Sequence, residues 1–105
     1  MGVYVIEYEL DHQHDSLLHD SEAAHLEFLR RLEDKGVLIT AGALRDVMSE
    51  DALIVLRADS AEDALKVLDE DPIYAHNAVH DRRVREWRPL VGRGAVEYDT
   101  EFPIS

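Results

Sequence analysis

The chain has 105 residues, 46% apolar and 32% charged, as expected of one soluble globular domain. It has no cysteine, which excludes disulfides and thiol chemistry and leaves only His and carboxylates for any metal site. A formal net charge of −12 argues against nucleic acid and anionic membranes as partners.

The N-terminal "MGVYVIEYEL" lacks the basic n-region and long apolar h-region of a signal peptide. No apolar run approaches the roughly 20 residues that span a bilayer, so the expected location is cytoplasmic. Residues 3–10 are rich in β-branched and aromatic side chains and predict a first strand. Residues 11–20 predict a polar loop. From about Ser21 the pattern turns helical, with His25, Phe28, Leu29 and Leu32 on one face and Gly36 as the stop. "VLITAGAL" (37–44) predicts a second strand, "RDVMSED" its turn and "ALIVLRA" (52–58) a third strand.

Ser60 stands three residues before Asp63, the spacing of a capped helix start, and Pro72 is expected to end that helix. Residues 73–78 have room for one short turn. Residues 79–90 predict a fourth strand whose alternation is poor, because Val84 and Trp87 cannot share a face without a bulge. The order is β-α-β-β-α-β, an α+β ferredoxin-like arrangement with an antiparallel sheet. Residues 1–91 form this domain and 92–105 a C-terminal tail, either disordered or laid over a neighbouring subunit.

Strand one carries Tyr4, Ile6, Tyr8 and Leu10 on one face and Val3 and Val5 on the other. Strand three is likewise apolar on both faces, through Ile54 and Leu56 and through Leu53 and Val55. Two helices cover one side of a four-stranded sheet. The other side calls for a partner, and the simplest is the same face of a second chain. The expected assembly is a homodimer with face-to-face sheets. Five of the eleven basic residues lie between Arg82 and Arg93, either as an anion-binding patch or as an offset to nearby carboxylates.

Four of the six histidines fall between Asp11 and Leu32. His12, His14 and His19, with Asp11 and Asp15, would suffice in number for a metal site. No recognised ligand spacing is met, and histidines of a polar loop are usually solvated, so no metal is expected there. His25 differs, because it occupies a helix position that calls for an apolar residue. It reads either as a core histidine with one hydrogen bond or as a functional imidazole. Asp71 is its candidate partner, since a buried carboxylate fixes an imidazole's tautomer and raises its basicity. An Asp before Pro also forms a local turn through its own backbone.

"HLEFLRRLEDKGVLITAGAL", the capped helix, "DPIY" and "REWRPL" together resemble the YCII-related family over roughly residues 3–90. The matching features are His25-Leu26, Gly36, Ala41-Gly42 and Asp71-Pro72. The resemblance implies a ferredoxin-like dimeric α+β barrel with a site centred on a His/Asp pair, which here would be His25 and Asp71. The family includes a dehydrochlorinase of chlorinated hydroxyhydroquinone, and most members have no assigned reaction. This chain departs from the pattern at Ala43, where a proline often follows Ala-Gly, and in "MSEDA", where a glycine commonly precedes the third strand. It departs also at Ile73, where an aromatic usually follows Asp-Pro, and in its histidine-rich loop.

The expected function is acid/base chemistry of lyase, isomerase or dehalogenase type on a small molecule. His25 would move a proton and Asp71 orient it. Arg45, or one of the arginines of strand four, would hold an anionic oxygen, with Tyr4, Tyr8 and Tyr74 as lining residues. No cofactor is signalled, since there is no GxGxxG, P-loop or zinc motif. The alternative is a non-catalytic dimeric module that uses the same pocket to bind a small ligand or a protein.

Overall fold

Side-chain alternation along the first strand decides the layers. In a computed structural model, residues 1–47 and 50–92 are described, with only the backbone of His14, Asp15 and Leu17. The elements are β1 (Gly2–Leu10), a 3-10 turn (His12–His14), α1 (Asp15–Asp34), β2 (Leu38–Arg45), β3 (Glu50–Ala58), α2 (Ala61–Leu68), α3 (Pro72–Ala75) and β4 (Val79–Trp87). The strands form one antiparallel sheet in the order β2-β3-β1-β4. This is the ferredoxin-like α+β arrangement read from the sequence, with α3 as an added turn.

Tyr4, Ile6 and Tyr8 of β1 and Ile54, Leu56 and Ala58 of β3 face the helices. They form the core with Phe28, Leu29 and Leu32 of α1, Ala64 and Leu68 of α2, and Ile73. The opposite face carries Val3, Val5, Leu53 and Val55, with Leu44 and Trp87 beside them. No described helix covers it. A groove of about 440 Å³ runs along it, walled by Val5, Leu44, Leu53, Val55 and Trp87.

Helix α1 begins six residues before the expected Ser21. The Asp11 carboxylate accepts from the Gln13 N–H at 3.0 Å, which turns the chain directly from β1 into helical geometry. Leu18 and Ser21 extend the inner stripe of His25, Phe28, Leu29 and Leu32 backward at helical spacing. His12, Gln13, Ser16, His19 and Asp20 are polar because they lie on the solvent side of these turns, not because the segment is a loop. The helix stops at Gly36, φ 76°, where the Val37 N–H reaches the Leu32 carbonyl at 2.9 Å.

Ser60 caps α2 by accepting from the Asp63 N–H at 3.1 Å. Helix α2 ends at Leu68, before Pro72. That proline, expected only as a stop, opens α3, with Asp71 as the capping residue. Along β4 the register with β1 is continuous from Val3 to Glu9, so Val84 and Trp87 take opposite faces. The bulge lies instead at His80, which is skipped between the pairs Glu9–Asp81 and Leu10–Val79.

Among the described residues no helix is long and apolar enough to cross a membrane. The expectation for the tail falls, beyond Gly92, outside the described residues.

Candidate functional site

Three elements converge beneath α1. His25 lies on the inner stripe of α1, and its side chain is 13% exposed. Asp71 is fully buried and held by local geometry: as cap of α3, its Oδ1 accepts from the Ile73 N–H at 3.2 Å. The packing of α3 against α1 then brings the carboxylate to the imidazole. His25 Nδ1 is 2.8 Å from both carboxylate oxygens. From β1, the buried Tyr8 hydroxyl donates to Asp71 Oδ2 at 3.0 Å.

Burial first, and the Asp71 carboxylate second, push the Tyr8 phenol above its usual range, so it remains a protonated donor. The carboxylate thus receives a phenol O–H, a backbone N–H and the imidazole. A carboxylate only accepts, so the proton of a neutral His25 sits on Nδ1. Nε2 is then left with a lone pair. It has no partner among the described residues, where no side-chain nitrogen or oxygen is both buried and unpartnered. Nε2 therefore opens into the adjoining cleft.

That cleft is about 420 Å³ and lies between α1 and the β2–β3 side of the sheet. Its apolar walls are Leu10, Leu18, Leu26, Leu29, Leu53 and Ile73. Its polar side chains are His12, His19, Glu22, His25, Glu50 and Asp51. A basic nitrogen backed by a buried carboxylate, at the wall of an apolar cleft, can accept a proton from a bound molecule and return it.

The other residues singled out from the sequence lie elsewhere. Tyr4 is in the core beneath the helices. Tyr74 is stacked under the Arg82 guanidinium, 3.6 Å from its ring centroid. Arg45 does not line the cleft: it is exposed, with Nε 3.2 Å from Glu50 Oε2 across the β2–β3 turn. Arg82, Arg85 and Arg88 pair with Asp69, Glu7 and Glu86, as in the reading where arginines offset neighbouring carboxylates.

The histidine segment divides. His12 Nε2 donates to the Glu50 carbonyl at 2.9 Å, and His19 lines the cleft. The His14 side chain is outside the described ones. Among the described residues no three His, Asp or Glu groups stand together as a metal site. Glu22 and His19 were hidden by the late helix start. Their signal is helical spacing, since Glu22 stands one turn before His25. All four departures from the family pattern, Ala43, Glu50 to Ala52 of "MSEDA", Ile73 and the histidine segment, have residues on the cleft wall.

The family model for the YCII-related domain matches residues 1–88, nearly all of the described chain. The chain belongs to the YCII-related family. Among solved structures this YCII-related chain is similar to the 5-chloro-2-hydroxyhydroquinone dehydrochlorinase of Burkholderia phenoliruptrix AC1100, in complex with 2,5-dihydroxybenzoquinone. The TM-score is 0.69 at 17% identity, covering 81% of this chain and 92% of that one. At that identity the likeness speaks for the fold alone. Protein Atu4242 from Agrobacterium tumefaciens matches at a TM-score of 0.44 and 13% identity, over 85% of this chain and 93% of that one. No curated protein matches the chain.

Proposed function

We propose that this YCII-related protein is a small-molecule enzyme of lyase, isomerase or dehalogenase type, with His25 as the proton-transferring group. The observation that carries the reading is the 2.8 Å contact of His25 Nδ1 with Asp71, which leaves Nε2 open to the cleft. In this reading a molecule in the cleft places a C–H or O–H against Nε2. The imidazole takes the proton and becomes a cation, and the buried Asp71 carboxylate stabilises that cation. Return of the proton to a different atom gives an isomerisation. Loss of an anionic leaving group from the deprotonated molecule gives an elimination.

Proton transfer to solvent offers a test that does not require the natural substrate. Small phenolic and carbonyl compounds are incubated with the protein in D2O, and loss of their C–H signals is followed by NMR. The expected result is accelerated exchange for compounds that fit, falling by about 10²-fold or more in His25→Ala, the usual contribution of a positioned base. Exchange that is unchanged in His25→Ala rejects the assignment.

We propose further that the chain works as a homodimer joined through the open sheet face. The partly exposed Val5 and Leu53, with Leu44 and Trp87 each 40% exposed beside them, support this, because an antiparallel sheet that ends in solvent normally alternates to polar residues on that side.

A further inference from the structure

The cleft beside His25 has a one-sided chemistry. Of its charged side chains, Glu22, Glu50 and Asp51 are carboxylates, and no arginine or lysine lines it among the described residues. Glu50 is offset from outside by Arg45 at 3.2 Å, and Asp51 Oδ1 accepts from the Leu10 N–H at 3.2 Å. Glu22 has neither kind of support: among the described residues no cation or donor meets its carboxylate. It lies one helical turn before His25, on the same wall. The nitrogen that His25 turns to the cleft is an acceptor as well, since its proton is committed to Asp71 on the other side of the ring.

Apart from the imidazoles of His12 and His19, a bound molecule would therefore meet lone pairs and negative charge on an apolar surface. An anion entering there would leave water without gaining an arginine or lysine, and like charges brought together in a partly desolvated site are costly. The net charge of the whole chain, −12, has the same sign. The expectation that Arg45 would hold an anionic oxygen has no counterpart in the cleft, because that guanidinium is held at the surface by Glu50.

We propose that the cleft selects an uncharged or cationic small molecule that brings its own O–H or N–H donors, that it excludes anions, and that Glu22 is the specificity-determining residue. This rests on the reading of the cleft as the substrate site. It adds a charge class to that site and a residue that sets it.

Three molecules of matched size separate the outcomes: 4-hydroxybenzyl alcohol, 4-hydroxybenzylamine and 4-hydroxybenzoate. Each is titrated into the protein at pH 8 while the imidazole signals of His25 are followed by NMR. The alcohol and the amine are expected to shift those signals, and the carboxylate to bind at least about tenfold more weakly than the alcohol. Glu22→Gln should narrow that gap. Glu22→Lys, at an exposed helix position that tolerates lysine, should bring the carboxylate to within about threefold of the alcohol. The proposal is overturned if 4-hydroxybenzoate binds the wild-type protein as tightly as the alcohol, if Glu22→Lys leaves the ranking unchanged, or if none of the three binds up to its solubility limit. The same spectra report which ring nitrogen of His25 carries the proton. A wrong charge preference with Nδ1 protonated rejects this inference alone, and a proton on Nε2 rejects the acid/base reading.

Discussion

At the scale of single residues, His25 and Asp71 owe their meeting to two local rules. A polar residue sits on an apolar helix stripe, and an aspartate precedes a proline. Both were legible in the sequence as positions. Their 2.8 Å contact was not, because it depends on how α3 packs against α1. Tyr8 was still less legible, since a tyrosine on a strand reads as core in any sheet. Its hydroxyl fixes the outer oxygen of Asp71, a role that only the folded arrangement assigns.

The raised pKa of Tyr8 carries a stability prediction. The folded state holds the phenol proton more tightly than the unfolded chain does, so the contribution is complete below the ordinary tyrosine value of about 10. Above that pH the unfolded state sheds its proton first and stability falls, by at most about 1.4 kcal/mol per pH unit for one group. Urea unfolding followed from pH 9 to pH 11 should show this decline in the wild type and a shallower one in Tyr8→Phe. Equal slopes in the two proteins would contradict the assignment.

At the scale of elements, each helix boundary tests one rule. The Ser60 cap was legible because its mechanism is local: a hydroxyl accepts from a backbone N–H three residues on. Ser60→Ala should cost about 1 kcal/mol, read as a lower urea midpoint with an unchanged denaturant slope. A loss below about 0.3 kcal/mol would mean that α2 is held by burial of Ala64 and Leu68 rather than by its cap. The start of α1 was misread because polar composition resembles a loop when only one side of a helix is buried. Leu18, Ser21 and His25 carry the true signal, since their spacings of three and four continue the inner stripe. The misreading mattered for function, because it left His19 and Glu22 off the helix that walls the cleft.

At the scale of the whole molecule, element order and two-sided apolar strands specified the topology, and the sheet order β2-β3-β1-β4 follows from it. The proposed dimer would cover the sheet face that no described helix covers. Light scattering should give twice the mass of one chain, and Val5→Lys, a charge placed at a half-buried position on the groove wall, should give a monomer. Monomeric wild-type protein at micromolar concentration would contradict the assembly proposed. The groove along this face and the cleft beside His25 share Leu53, but His25 and Asp71 meet on the helix side of the sheet. Mutations that split the dimer should therefore leave the hydrogen bond between His25 and Asp71 in place.

The central claim is that His25 turns an unprotonated Nε2 to the cleft because Asp71 holds the proton on Nδ1. Long-range 15N–1H correlation of the His25 ring at pH 8, above the ordinary imidazole range, reads this directly. The account predicts a protonated Nδ1 and a bare Nε2 in the wild type. In Asp71→Asn, whose amide can donate to Nδ1, the proton should move to Nε2. A proton on Nε2 in the wild type, or a tautomer that ignores the substitution, would contradict it.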